Sequence, residues 1–137
     1  MAGNLDLVHR TYEAFAAGDG ETVLAGFAED IEWIEPDGYF AGAGGVRGRD
    51  AVGRVFAEYP KFWSEFSVTP ERFLEAGDEW VIVTGSQHGI AKETGKEFRG
   101  RFANLWHIRD GQAVRLEVYT DTALMWKAFG RLPPDPE

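Results

Sequence analysis

The chain has 137 residues, of which 44% are apolar and 14% aromatic, which is enough for one hydrophobic core, so a second domain is not expected. Its 14 Lys and Arg residues against 23 Asp and Glu residues give a formal net charge of −9, which repels nucleic-acid phosphates and anionic lipids alike. Cysteine is absent, so disulfides, thiolate nucleophiles and thiolate metal sites are excluded. We therefore expect no nucleic-acid partner and no membrane partner.

The start of the chain bears on its location. Residues 1–7 are polar, whereas a signal peptide begins with a basic patch and an apolar stretch. No apolar run approaches the length of about 18 residues that is typical of a membrane span. We expect a cytoplasmic protein.

Three helices are predicted in the first sixty residues. Apolar side chains at helical spacing predict a first helix that follows an Asn4 cap and ends at Gly18-Asp19-Gly20. A short second helix is predicted over residues 21–27. A third is predicted between an Asp50 cap and Pro60, with one apolar stripe.

A strand over residues 31–35 is predicted between the second and third helices. Trp33 and Glu35 lie on one face of it, because side chains alternate along a strand. Pro36 ends the strand, since proline has no N–H to donate. Five glycines in residues 36–49 predict a loop. Their spacing does not fit a phosphate-binding motif, so we interpret this loop as a mobile rim of a pocket.

The second half of the chain is rich in β-branched and aromatic residues. Four strands are predicted there, over residues 66–73, 80–90, 97–109 and 113–120. Short turns between them indicate an antiparallel meander, and a closing helix follows over residues 121–129. Helices first and sheet afterwards predict the α+β class. We expect one domain over residues 1–130 and a disordered tail over residues 131–137.

The last hairpin can be aligned further. A three-residue turn at Asp110-Gly111-Gln112 would pair Arg109 with Ala113, Trp106 with Leu116, and Asn104 with Val118. Asn104 then lies on the helix-facing side of the sheet. The opposite face mixes Leu105 and Tyr119 with charged residues, a composition that suits a homodimer interface.

Several short motifs, in their order and spacing, resemble a known family. They are Phe15-Ala16-Ala17-Gly18-Asp19, Ile31-Glu32-Trp33-Ile34-Glu35-Pro36, Thr94-Gly95-Lys96, Asp110-Gly111 and Tyr119-Thr120-Asp121-Thr122. Over residues 5–129 the chain resembles the SnoaL-like and ketosteroid-isomerase-like branch of the nuclear transport factor 2-like superfamily. The resemblance implies a curved antiparallel sheet wrapped around three helices as a cone-shaped barrel, a short C-terminal helix, a pocket and frequent dimers. It does not fix an activity.

Glu35 is the first candidate catalytic residue. The resemblance places it where ketosteroid-isomerase-like enzymes carry a carboxylate base. A carboxylate beside Trp33 and other apolar walls loses solvation, which raises its pKa toward the useful range for a general base. The alternative is a strand-end glutamate that reaches water or is held by a backbone amide.

Asn104 is the second candidate, because the resemblance places it at the position of a carboxylic acid in the isomerase oxyanion hole. An amide can donate there too, or simply line the pocket. The family's first-helix tyrosine aligns with Thr11, while the neighbouring Tyr12 has the spacing of a core residue.

Asp121 is the third candidate, since many SnoaL-like sequences carry a terminal acidic residue there. Helix capping is the alternative that we favour, because a predicted helix starts directly after Asp121. No metal site is expected. If Thr94-Gly95 closes its hairpin, His88 and His107 lie about 20 Å apart, too far for one ion.

We interpret the chain as a pocket enzyme of the isomerase or cyclase type that acts on a small hydrophobic carbonyl compound without a cofactor. Glu35 would shuttle a proton, Asn104 would stabilise the oxyanion, and apolar walls would bind the substrate. The predicted walls are Tyr12, Phe15, Trp33, Phe102, Trp106 and Val118. The alternative is a non-catalytic small-molecule-binding or dimerisation module of the same fold.

Overall fold

The computed structural model describes residues 3–41 and 44–133, which form four helices and six strands. The helices are α1 (Asn4–Ala16), α2 (Gly20–Ala25), α3 (Arg49–Phe62) and α4 (Thr122–Phe129). The strands are β1 (Phe27–Ile34), β2 (Val46–Arg47), β3 (Trp63–Ala76), β4 (Trp80–Ala91), β5 (Glu97–Arg109) and β6 (Gln112–Thr120). The tail predicted to be disordered falls mostly on residues 134–137, which lie outside the described residues.

The strands form one curled, unclosed sheet in the order β2-β1-β6-β5-β4-β3. The predicted α+β class is confirmed, with three helices in the N-terminal half and a short helix at the end. One part of the topology differs from the antiparallel sheet expected, because β1 pairs with β6 in parallel. Everything from α3 to β5 separates these two strands along the chain, and only a long connection lets neighbours run in the same direction.

The concave face of the sheet carries the core. Buried and half-buried residues alternate strictly along β4, as expected for a strand with one covered face. Val81 and Val83 are fully buried there, and burial of such a side chain stabilises the fold by about 1.5 to 3 kcal/mol. A Cβ atom on Gly89 would lie 2.6 Å from the Trp63 ring, so glycine at this position lets the indole pack directly on the sheet. The helices cover this face, with Val8 of α1 and Val52 of α3 fully enclosed.

The helix boundaries differ from the prediction in three places. Gly3, not Asn4, is the N-cap of α1, and the Asn4 amide instead donates to the carbonyl of Asp78 at 2.8 Å. Asp50 lies in the first turn of α3, whose N-cap is Gly48. Pro60 lies inside α3, two residues before its end at Phe62, rather than closing it.

The strand boundaries also differ from the prediction. Residues 27–30 belong to β1 rather than to helix or loop, β2 was not predicted, and β3 begins at Trp63 rather than at Phe66. The two residues of β2 pair with Glu32 and Trp33 of β1, a contact too short to leave a periodic signal in the sequence.

The last hairpin is confirmed at its centre and wrong at its turn. Trp106 pairs with Leu116 and Asn104 pairs with Val118, as expected. Arg109, however, pairs with Gln112, and a bulge between His107 and Ile108 restores the predicted register further along. A bulge inserts one residue into one strand. The strand pairs predicted without a bulge are therefore correct on the side away from the turn and shifted by one residue next to the turn.

No helix in the described part of the chain is long and apolar enough to cross a membrane. The cytoplasmic location and the domain boundary at residue 130 stay predictions.

Candidate functional site

A cavity of about 60 Å³ lies between α1, α3 and the concave face of the sheet. Six of the predicted site residues form part of its wall: Tyr12, Phe15, Trp33, Asn104, Trp106 and Val118. Phe102 is buried but stands behind this wall, with its ring 6.3 Å from that of Tyr12. A cavity that holds benzene measures about 150 Å³, so the walls must separate before a ring compound can enter.

The hydroxyl of Tyr12 joins the first helix to the sheet. Its oxygen accepts hydrogen bonds from Asn104 Nδ2 at 2.7 Å and from Trp106 Nε1 at 3.1 Å. Burial raises the pKa of Tyr12 to about 12, although these two bonds lower it in part. Tyr12 therefore keeps its proton near neutral pH. Because its oxygen already accepts two bonds, its own hydrogen is available to a ligand.

Thr11, which the resemblance aligns with the family tyrosine, lies beside Tyr12 in the cavity wall. The Thr11 hydroxyl donates to the carbonyl of Leu7, one turn earlier in the same helix. Tyr12 supplies the phenol that faces Asn104. Tyr12 has the spacing of a core residue and also faces the cavity, because the core-facing side of α1 forms part of the cavity wall.

Glu35 follows β1 directly and is 4% exposed. Neither of its carboxyl oxygens has a hydrogen-bond partner among the described residues, and the buried Trp33 Nε1 has none either. Burial raises the pKa of Glu35 to about 8, and the neighbouring Trp33 opposes this rise. An unpaired buried carboxyl group of this kind costs folding free energy and is typical of functional sites.

The pairing of β1 with β6 places Glu35 relative to Asn104. Trp33 pairs with Leu116 and Ile34 with Glu117, so Glu35 comes beside Val118, the partner of Asn104 on β5. All three side chains are buried on the concave side. Two strand spacings separate the backbones of Glu35 and Asn104 by about 10 Å. A ligand lying over Val118 would therefore lie between the two residues. Asn104 belongs to the cavity wall, whereas the Glu35 side chain stands behind it.

Three polar wall residues were missed from the sequence: Tyr39, Tyr59 and Gln87. The Tyr39 and Tyr59 hydroxyls are 3.1 Å apart. Burial is the largest cause that raises the pKa of both tyrosines, and nearby charges raise it further. The Glu35 carboxylate contributes to the rise in each tyrosine, so it lies close to the pair. Strand alternation could have found Gln87, which shares the inner face of β4 with Val83. Tyr39 lies in the glycine-containing loop, where no periodicity indicates its direction.

The loop that carries Tyr39 is held by the last helix. Trp126 Nε1 of α4 donates to the carbonyl of Gly38 at 2.6 Å. The Tyr39 and Phe40 side chains that follow are both buried. The predicted pocket rim is thus a packed wall over residues 38–41.

Asp121 lies away from the cavity wall. It is exposed, and its carboxylate accepts the backbone N–H of Leu124 at 3.1 Å as the N-cap of α4. The structure does not bring Asp121 together with Glu35 and Asn104 in one wall.

The histidines do not form a metal site with other residues. His88 pairs with Arg99 and His107 with Trp80. The two histidines are therefore eight strand positions apart, about 27 Å, rather than the roughly 20 Å expected from the sequence. No group of three or more His, Asp or Glu residues within the described ranges could hold a metal ion.

Glu35 should make the folding stability depend on pH. Its pKa is about 4.5 when exposed and about 8 in the folded protein. Between these values the unfolded chain has lost the proton that the folded chain keeps, so this contribution to stability falls by about 1.4 kcal/mol per pH unit. Below that range the contribution is constant. We expect Glu35→Gln to gain stability relative to wild type as pH rises from 5 to 8, measured by urea unfolding.

The matched control is Glu29→Gln, which changes an exposed glutamate of the same strand. Its stability difference from wild type should be the same at both pH values. A Glu35→Gln difference that also stayed constant would show that the Glu35 carboxyl is solvated in the folded protein.

The cap predicts the effect of changing Asp121. Asp121→Ala should lower the free energy of unfolding by about 1 kcal/mol, whereas Asp121→Asn should change it little, because Asn caps helices about as well as Asp. Thermal or urea unfolding of the two variants measures this. Equal losses in both would indicate that the charge of Asp121, rather than its cap hydrogen bond, stabilises the fold.

Comparison with known proteins gives the family. The SnoaL-like domain family matches residues 8–116. An uncharacterized protein of Mycobacterium tuberculosis is 36% identical over 122 residues, which cover 88% of this chain and 91% of the relative. A nuclear transport factor 2-like protein of unknown function from Burkholderia pseudomallei has a similar structure, with a TM-score of 0.87, 32% identity, and coverage of 93% of this chain and 98% of that one.

Further solved structures agree on the fold. TerC, co-crystallized with polyporic acid, has a TM-score of 0.86 at 26% identity, with 94% of this chain and 99% of TerC covered. Structures that carry the names of an isomerase from Bacillus subtilis and a polyketide cyclase from Pseudomonas putida are 22% and 17% identical and show the fold alone. The chain belongs to the SnoaL-like domain family of the nuclear transport factor 2-like superfamily.

Proposed function

We propose that the protein is an enzyme of the isomerase or cyclase type that moves a proton on a small hydrophobic carbonyl compound, with Glu35 as the proton shuttle. The observation that carries this proposal is the Glu35 carboxyl group, buried at the end of β1 with both oxygens unpaired among the described residues. Burying a carboxyl without partners costs stability, and catalysis is a function that repays this cost.

The pKa of Glu35 suits a proton shuttle. At a pKa of about 8, about one molecule in ten holds the carboxylate at pH 7, and the others hold the neutral acid. A base whose pKa lies near the working pH removes a proton readily and returns it readily. Activity that needs the carboxylate should rise with pH and level off above pH 8.

Tyr12 and Asn104 form the proposed carbonyl site. The Tyr12 hydroxyl hydrogen is available for the carbonyl oxygen, and the Asn104 and Trp106 N–H groups hold the phenol in place. As the proton leaves the carbon beside the carbonyl, negative charge develops on the carbonyl oxygen, and a donor fixed in an apolar cavity stabilises it. Asn104 therefore acts through Tyr12 as a positioning residue, rather than directly as the oxyanion donor expected from the sequence.

The ligand is proposed to be neutral and largely apolar. Trp33, Trp106 and Phe27 contribute aromatic surface to the wall, and the charged residues of the described chain stay outside that wall. The co-crystallization of TerC with polyporic acid supports a small-molecule ligand for this chain. We propose no metal ion and no cofactor.

The second candidate function is a non-catalytic small-molecule-binding module. It is favoured by the position of Glu35, whose side chain stands behind the cavity wall rather than in it. The two candidates differ in whether a bound ketone exchanges protons with Glu35.

Proton exchange tests the choice. In D₂O, wild-type protein should speed the replacement of the α-hydrogens of cyclohexanone by deuterium, followed by proton NMR. Glu35 takes the α-hydrogen as a proton while the C–H electron pair forms the enolate. The carboxyl proton then exchanges with a deuteron of the D₂O, and this deuteron returns to the carbon. Glu35→Gln should lower the protein-dependent rate by about two or more orders of magnitude.

Glu29→Gln, at an exposed position of the same strand, should retain the wild-type exchange rate. Exchange that persists in Glu35→Gln, or an absence of exchange in wild type while cyclohexanone binds, would favour the binding module.

We also propose that two copies associate through the outer face of the sheet. Tyr119 is 53% exposed there, Leu105 is half-buried, and Arg115 pairs with both Glu32 and Glu117 around them. Apolar groups within a charged surface are typical of an interface between subunits.

Sedimentation should show a dimer at tens of micromolar protein. Leu105→Asp combined with Tyr119→Asp should give a folded monomer, because four charges would then face one another across the interface. Leu132→Asp changes an exposed leucine beyond α4 and should leave the dimer intact. A wild-type monomer, or a dimer that survives the double change, would exclude this interface.

A further inference from the structure

Besides Thr11, whose hydroxyl donates to the carbonyl of Leu7, the cavity wall has three polar residues without a role in the proposed proton transfer: Tyr39, Tyr59 and Gln87. They come from the loop after β1, from α3 and from β4, respectively. Tyr39 and Gln87 are 4% and 5% exposed. Polar groups enclosed to this degree are normally fully hydrogen-bonded.

In these three residues, a tyrosine O–H and the Gln87 amide N–H have no acceptor among the described residues. The two tyrosine hydroxyls share one bond of 3.1 Å, so one O–H hydrogen has no acceptor in that pair. The Gln87 oxygen accepts from the Thr120 hydroxyl at 2.8 Å, while its amide nitrogen makes no hydrogen bond to another described residue. Gln87 lies close enough to Tyr39 to lower the pKa of that phenol in part, which indicates that the amide nitrogen faces the tyrosine pair.

The charge around these donors limits what they can bind. Neither Lys nor Arg belongs to the cavity wall formed by the described residues, and the nearest ionisable group is Glu35. An anion would be buried there without a counter-charge, which is strongly unfavourable. A neutral oxygen, such as a carbonyl oxygen, accepts the free O–H and N–H hydrogens without adding charge.

These donors are separate from the Tyr12 site. Gln87 pairs with Gly100 on β5, four residues from Asn104 on the same strand, which corresponds to about 14 Å along the strand. The wall between them is apolar, with Val118 beside Asn104 and Val68 beside Gln87. The cavity is therefore polar at two ends and apolar in between.

We propose that Tyr39, Tyr59 and Gln87 form a second oxygen-binding subsite, so that the ligand is a neutral molecule with two carbonyl-type oxygens on opposite sides of an apolar body. This inference rests on the proposed function, because it takes the cavity as the ligand site. One oxygen accepts from Tyr12, and the other accepts from the tyrosine pair and the Gln87 amide.

A matched pair of ligands tests the subsite. Bicyclohexyl-4,4′-dione and 4-cyclohexylcyclohexanone have the same two-ring skeleton, long enough to extend between the two subsites, and the dione adds one carbonyl at the end opposite the first. NMR titration of the wild-type protein should give a dissociation constant at least about tenfold lower for the dione, as expected for one additional buried hydrogen bond. Equal dissociation constants would overturn the proposal.

Removal of the hydroxyls should remove this preference. Tyr39→Phe combined with Tyr59→Phe keeps both rings and should bring the ratio of the two dissociation constants close to one. If the double variant does not fold, each single variant should lower the ratio, because each removes a hydroxyl of the pair. Tyr119→Phe removes an exposed hydroxyl on the outer face and should retain the wild-type ratio. A ratio that stays at the wild-type value in the tyrosine variants would also overturn the proposal.

Failure of this inference is distinguishable from failure of the proposed function. Glu35-dependent exchange of cyclohexanone without a preference for the dione would reject the subsite and retain the proton shuttle. A preference for the dione that depends on the two hydroxyls, without exchange, would retain the subsite in a binding module.

Discussion

The parallel pairing of β1 with β6 determines the composition of the site. Because Ile34 lies opposite Glu117, the next residue, Glu35, faces the cavity side of the sheet beside Val118. A slip of one residue would turn Glu35 to the outer face and Ile34 inward, since side chains alternate along a strand. Neighbouring parallel strands need a long connection, and here the connection contains four further strands and α3. The position of one carboxyl group thus depends on the topology of most of the chain.

The helices contribute further polar groups to the candidate site. α1 contributes Tyr12, whose hydroxyl is held by two N–H donors from β5. α3 contributes Tyr59, and the loop before it contributes Tyr39. Each polar group is fixed by a bond between different elements rather than by its own helix or strand. The cavity that results is small, about 60 Å³, so ligand selection includes the energy needed to separate tightly packed aromatic walls.

Much of the fold follows from local sequence patterns. Periodicity and turn residues predict β5 over Glu97–Arg109 and place Asn104 opposite Val118, because long strands with one covered face leave a strong alternating signal. The pairing of β1 with β6 and the short strand β2 depend on contacts between distant residues, which no local pattern records. The residues of the candidate site also differ in how clearly the sequence pattern indicates them. Glu35 and Asn104 stand out as polar residues at inward strand positions, whereas Tyr39 lies in an irregular loop and Tyr59 belongs to an ordinary helical stripe.

The bond from Trp126 to the carbonyl of Gly38 has a consequence for the order in which the site forms during synthesis. The loop that holds Tyr39 is made before the sheet is complete, whereas Trp126 of the helix that holds this loop comes 88 residues after Gly38. Until α4 docks, the wall over residues 38–41 lacks its tether, so a nascent chain with the sheet already folded has an unfinished pocket. The pocket wall is therefore completed only after α4 has been synthesised and has docked, later than the sheet itself.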